Sequence, residues 1–258
     1  MWLFIETPYG QNWIGREVTK RLSHDLQTKI SIEHVEFSLF NKMHLRAVLI
    51  EDRNQDTLIS AGDIQVRITD WFFFKDKVVL KYIGMQDAII KFQRTDSVWR
   101  QQFIFDYFGG QSTPKSKNAG IQFDLKKIEL KNVTFVEKDG WLGKDMHIHV
   151  GSLNLDADSL HISRRSFDIN NLAIVDPYFA IRDYQGRQLS NQATRHIDSN
   201  KDSLLQWNSD NWVIRLGKLS IQNGTFQNDK DSGIVLPYFD GNHILFNSIN
   251  GDFTNVKL

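Results

Sequence analysis

His147 and His149 stand two apart in Met146-His-Ile-His-Val150, a spacing that puts both imidazoles on one side of an extended strand and suits two ligands of a transition metal. The sequence sets no third ligand at a fixed distance from them, and the chain has no cysteine. Solvent-facing positions on a two-faced sheet therefore account for the pair better than a metal centre. His24, His34, His44, His161, His196 and His243 are scattered. The carboxylates never fall into the alternating order of a calcium loop, and Asp229-Lys-Asp-Ser-Gly233 reads as a turn. No phosphate-cradling glycine loop, dinucleotide fingerprint or serine elbow is present. No residue receives a catalytic role, no cofactor or metal is implied, and the chain is read as a protein that is not an enzyme.

Charge narrows the classes further. Lysine plus arginine and aspartate plus glutamate each number 31 in 258 residues, for a formal net charge of zero. The nearest thing to a basic loop, His161-Ile-Ser-Arg-Arg165, offers two adjacent arginines, and no basic track interleaved with aromatics is seen, so nucleic acid is not expected as a partner. Met1-Trp-Leu-Phe-Ile5 is apolar but far shorter than the roughly 20 residues that span a bilayer. It reads either as a buried N-terminal segment or as the trailing end of a membrane helix.

These side chains must be carried by extended structure. Ile83-Gly-Met-Gln-Asp-Ala-Ile-Ile-Lys-Phe92, Ile128-Glu-Leu-Lys-Asn-Val-Thr-Phe135, Phe167-Asp-Ile-Asn-Asn-Leu-Ala-Ile174 and Leu219-Ser-Ile-Gln-Asn-Gly-Thr-Phe226 share one pattern: two alternating apolar residues, then Asp or Asn, then a further apolar alternation. Recurrence of such a unit implies a long sheet built by addition. Ile64, Val66 and Ile68 alternate with Gln65, Arg67 and Thr69, the mark of a sheet with one wet and one apolar face. Ile30 and Ile32 alternate in one phase and Val35, Phe37 and Leu39 in the other, which places a bulge or tight turn at Glu33-His34.

Helical periodicity is confined to a few stretches. Ile14, Val18, Leu22 and Leu26 recur every four residues after Thr7-Pro8, predicting an amphipathic helix over Pro8–Leu26. Trp99, Phe103 and Tyr107 suggest a short helix within 97–108, and 203–207 another. Trp71-Phe-Phe-Phe74 is a packing cluster for a sheet end or crossover. The expected fold is mainly β, an elongated, curved antiparallel sheet of the repeating groove type with an N-terminal amphipathic helix and short helical insertions. Four parts are expected: a membrane-proximal segment and helix at 1–26, a first groove segment at 27–108, a glycine- and serine-bearing linker at 109–120, and a continuing groove segment at 121–258 with a polar insertion at 188–207.

The run Leu26-Gln-Thr-Lys-Ile-Ser-Ile-Glu-His-Val-Glu-Phe-Ser-Leu-Phe-Asn41 resembles the N-terminal region of TamB/AsmA-like proteins of Bacteroidetes. The likeness continues through 49–62, through Thr69-Asp-Trp-Phe-Phe-Phe-Lys-Asp-Lys77, and through 82–88 and 92–99. It is specific over the first 110 or so residues; beyond them it rests on compatible strand repeats. The resemblance implies a large periplasmic protein anchored in the inner membrane by an N-terminal helix, of which this chain would be an N-terminal fragment keeping only Met1 to Ile5 of the anchor. It further implies a hydrophobic β-groove for phospholipid movement between inner and outer membranes, with phospholipid as partner. The alternative is a structural scaffold for outer-membrane protein translocation and assembly, with an outer-membrane assembly protein as partner. On the groove reading, acyl chains would lie along Ile64, Val66 and Ile68 and along Ala88, Ile90 and Phe92.

Overall fold

The computed structural model describes residues 8–38, 42–68, 77–108, 120–161, 164–188, 211–231 and 236–257. Helix α1 spans Pro8–Leu26, as the four-residue periodicity predicts. It ends where Gln27 turns left-handed (φ 53°), with Gln27 N–H donating to His24 O and Thr28 N–H to Ser23 O, the paired bonds that satisfy orphan carbonyls at a helix end. Ser23 Oγ accepts from Ile30 N–H at 3.1 Å, and Thr28 Oγ1 donates to Glu51 O at 2.6 Å, so the helix end is tied to the first strands. A Cβ on Gly15 would stand 2.9 Å from Val35 Cγ2, so helix and strand meet there at backbone distance.

Ten strands follow: β1 (Ile30–Ser38), β2 (Lys42–Glu51), β3 (Thr57–Ile68), β4 (Lys77–Arg94), β5 (Gly120–Asp139), β6 (Lys144–His161), β7 (Ser166–Val175), β8 (Tyr178–Asp183), β9 (Val213–Lys230) and β10 (His243–Lys257). They form one open sheet in the order β1-β2-β3-β4-β5-β6-β7-β9-β10, with β8 between β6 and β9. Strands β7 and β8 are one lane interrupted at Asp176-Pro177, since β6 pairs with both. The sheet is mixed, which corrects the antiparallel expectation: β4 runs parallel to β5, and β7 and β8 run parallel to β9. The cause is topological. A parallel pair needs a crossover between its strands, and 25 residues separate β4 from β5 and 29 separate β8 from β9, long enough for each new strand to start beside the old one in the same direction.

The expected linker at 109–120 lies outside the described residues apart from Gly120, and β4 and β5 on either side of it are hydrogen-bonded neighbours. The expected helix at 203–207, the aromatic cluster Trp71 to Phe74 and most of the polar insertion also lie outside them. The second helix, α2, covers Gln102–Phe108 and is shorter than its periodicity suggested. Its approach is held irregular by Arg100, whose Nη1 donates to Asp56 Oδ2 at 2.5 Å and to Asp52 Oδ2 at 3.2 Å, and by Trp99, which lies under the Arg94 guanidinium.

Inner-membrane anchoring is corrected by the helices themselves: among the described residues no helix is long and apolar enough to cross a membrane. Although α1 has 19 residues, Arg16, Glu17, Lys20, Arg21 and Asp25 interrupt it.

Candidate functional site

The recurring Asp or Asn is a backbone device. Ala47, Asp87, Asn132, Asp176 and Asn223 all adopt left-handed φ between 51° and 53°. Register places them in one transverse row with Gly62 and Gly151, since Asp63 faces Gln86, Lys131 faces Ser152 and Val175 faces Gln222. Asp and Asn tolerate this conformation because their short polar side chains bond locally. Asn132 Nδ2 donates to Asp87 Oδ1 at 2.6 Å across the first parallel seam, and Asn223 Nδ2 to Asp176 Oδ1 at 2.8 Å across the second. Bonds from Asn132 and then Gln86 hold the Asp87 carboxyl below the usual aspartate range.

The row resets the strand alternation. Leu45 and Val48, Ala61 and Ile64, Met85 and Ala88, Leu130 and Val133, and Val150 and Leu153 are each three apart, yet they pack in one apolar cluster. Left-handed Ala47, Asp87 and Asn132 reset the alternation in three of these pairs, and Gly62 and Gly151 stand in the same row in the other two. A second phase change lies further along the strands, where Ala157 and Leu160, Ile169 and Leu172, and Leu216 and Leu219 join another cluster, and where β6 shifts register against β7 around Ala157. One continuous face of the sheet is thereby kept apolar. Val48, Ala61, Ala88, Val133 and Val150 form its buried centre, at 1–7% exposure, while Ile64, Met85, Leu130, Leu153 and Ile174 around them stay half-buried.

The six residues expected to line a groove do not form one site. Ile64 and Ala88 share the central cluster. Val66, two residues from Ile64 in the same phase, packs with Leu80, Ile83 and Leu125 just before the register shift of β3 against β4. Phe92 lies at the opposite end, edge-on to Phe105 of α2 at 5.8 Å and to Phe135 at 5.2 Å, within the cluster that α1 and α2 build from Leu26, Ile30, Leu58 and Phe103. Ile90 is half-buried opposite Ile59, and the Ile68 side chain lies outside the described set. Sequence reading missed Leu130, Val133, Val150 and Leu153. The signal was available: apolar residues three apart around an Asn or Gly mark the row as plainly as Met85 and Ala88 do.

One repeat shifts. In register, the equivalent of Leu219–Phe226 is 172–179, not 167–174, because Leu172 faces Leu219 and Phe179 faces Phe226. Asp176, not Asn171, occupies the row, and Pro177 disguised the alternation there. Residues 236–239 form no strand, and Leu236, Tyr238 and Phe239 are exposed there.

The opposite face is polar. His149 shares a 3.0 Å bond with Thr134 Oγ1, and His147 stands edge-on to Tyr178. Among the described residues no group of three or more metal-ligating side chains comes together. The chemistry on offer is therefore that of an extended apolar surface backed by a polar one. No protein-family model matches the chain, and comparison with curated proteins finds no match.

Proposed function

We propose that the apolar face is a curved trough that takes the acyl chains of phospholipid, and that the protein moves lipid by letting it slide along that face. The observation that carries this reading is the half-burial of Ile64, Met85, Leu130, Leu153 and Ile174 in a face continuous across the sheet, with helices packed only at the α1–α2 end among the described residues. A bulge bends its strand, so the register shifts between Arg67 and Ile68, between Leu80 and Tyr82 and around Ala157 would curl the sheet. The 1–7% exposure of central residues, with no opposing sheet among the described residues, supports curling toward the apolar side. Laterally adjacent strands about 4.8 Å apart would give such a trough a length of roughly 40 Å. Each methylene removed from water contributes about 0.8 kcal/mol, so a long acyl chain gains on the order of 10 kcal/mol before ordering costs, with no polar catalytic group needed. The resemblance to TamB/AsmA-like proteins points the same way.

Lipid extracted from the purified protein and identified by mass spectrometry tests the proposal. Val66→Asp and Ile90→Asp should each abolish co-purification while leaving the circular dichroism of the sheet intact. Lipid retained at native levels in a folded double variant would refute the trough.

A second reading, a scaffold that receives a partner's strand in an outer-membrane assembly role, is favoured by β10. This terminal strand exposes Leu245, Phe246 and Phe253 at 50–57%, and its outer backbone groups face no strand among the described residues. Such an edge is a template for strand addition. Phe246→Lys with Phe253→Lys would release a protein partner and leave bound lipid unchanged on this reading.

A further inference from the structure

Behind the trough, on the polar face, four laterally adjacent positions in β2 to β5 carry Lys42, Arg67, Tyr82 and Lys127, each facing the next across a strand pair. The neighbouring row is Glu36, His44, Gln65, Gly84 and Glu129. Together with Lys81 and Lys126 these rows line an open basin of about 530 Å³. The Tyr82 ring lies across Gly84, where a Cβ would come within 2.7 Å of Tyr82 Oη.

The charges in the basin are unbalanced. Five cationic side chains line it against Glu36 and Glu129, in a chain whose net charge is zero. Glu129 is already engaged, accepting from Lys127 at 2.6 Å and from Tyr82 Oη at 2.7 Å. Burial, then the bond to Glu129, pushes the Tyr82 phenol up to about 12, so it remains a donor. Lys126 is held by Asp124 and by the carbonyl of Asp158. Glu36 stands 3.8 Å from His44, whose other ring nitrogen meets Asp63. Lys42, Arg67 and Lys81 form no ion pair among the described residues. Arg67 stacks over the Tyr82 ring at 5.8 Å, and Lys42 faces it directly in the antiparallel pair. Like charges directly opposite on neighbouring strands destabilise a sheet, and an anion between them would offset that repulsion.

We infer that this basin binds the oxyanion of a phosphate group, with Arg67, Lys42 and Lys81 as its ligands. Guanidinium and ammonium donors around a concave floor suit a phosphate's several acceptor oxygens. The site lies on the face opposite the trough and does not depend on the lipid-transfer reading.

Inorganic phosphate titrated at constant ionic strength should produce a saturable rise in melting temperature and saturable shifts of the Gly84 and Gln65 amide resonances. Arg67→Gln with Lys81→Gln should weaken this at least about tenfold, the loss expected for one or two charge-assisted bonds. Without phosphate, the double variant should be no less stable than the native chain, since a repulsive pair has gone. Lys131→Gln, on the same face outside the basin, should leave binding unchanged. Sedimentation with phosphatidylcholine vesicles, with and without phosphatidylglycerol, separates the sources. Binding to the anionic vesicles that the double variant loses makes the group a lipid headgroup. Response to inorganic phosphate alone makes it a soluble phosphate ester. Either outcome supports the site. No response to either probe, or an undiminished response in the double variant, overturns it.

Discussion

The two parallel seams, β4 against β5 and the β7–β8 lane against β9, repeat one device and finish differently. In both, an Asn on the later strand donates to an Asp on the earlier one where left-handed residues reset the alternation. The first seam is then clamped. Arg94 Nε and Nη2 donate to the two oxygens of Asp139 at 2.7 and 2.5 Å, with side chains only 14% and 5% exposed, and Asp139 Oδ1 also accepts from Leu142 N–H. The second seam ends in Arg182 and Asp231, paired the same way but 59% and 45% exposed. Helices cover the sheet near the first clamp, whereas the sheet beyond the second seam ends in the exposed aromatics of β10. The difference teaches that the repeat specifies how strands cross the sheet, while burial decides where the sheet is firmly closed.

The clamp offers the sharpest way to break the comparison. Arg94→Ala leaves a buried carboxylate unpaired and should cost about 3 kcal/mol in urea unfolding, whereas Arg182→Ala should cost far less because water screens that pair. Equal losses at both seams would show that burial is not what separates them.

Asp139 also gives the first seam a pH signature. Burial raises its pKa, but the bonds from Arg94 and from the Leu142 and Trp141 backbone outweigh this and leave it below the ordinary value of 3.8. A depressed folded-state pKa stabilises fully above the unfolded value, and the contribution is lost as pH falls through the folded one. Unfolding followed from pH 5 downward should therefore show a steep acid loss that Asp139→Asn flattens. A variant profile parallel to the native one would remove Asp139 from the account.

The effects of the row itself should be smaller than that of the buried clamp, and they should be alike at both seams. Asn132→Val and Asn223→Val each force a β-branched residue into left-handed φ and should cost roughly 1–2 kcal/mol. Ala47, at φ 51°, already bears such strain, and Ala47→Gly should raise stability by up to about 1 kcal/mol. Thermal melts of the three variants check these values, and an Asn132→Val change without effect would contradict the assigned role of the row.

Much of this was legible in the residues. Four-residue spacing from Ile14 to Leu26 predicted α1 to its boundaries, and the change of phase at Glu33-His34 marked the row before any neighbour was known. Both are short-range effects, in which side-chain direction follows from local φ and ψ. Ile64 and Ala88 were placed on the apolar face for the same reason. Phe92 was placed on it too, but nothing in its own strand announced Phe105 of α2 above it. The Lys42 and Arg67 pair was equally hidden, because two strands must be aligned before like charges meet.

Taken alone, the chain determines the apolar alternation, the left-handed Asp and Asn positions and the first helix, since each depends on a residue and its near neighbours. Which strands lie side by side, in what direction and register, came only with folding. Parallel seams join residues such as Ile83 and Ile128 across a long stretch of chain, and no local preference distinguishes a parallel partner from an antiparallel one with the same pattern. Which parts of the apolar face are covered belongs to the same class, because burial depends on what is brought above a side chain and not on the side chain itself.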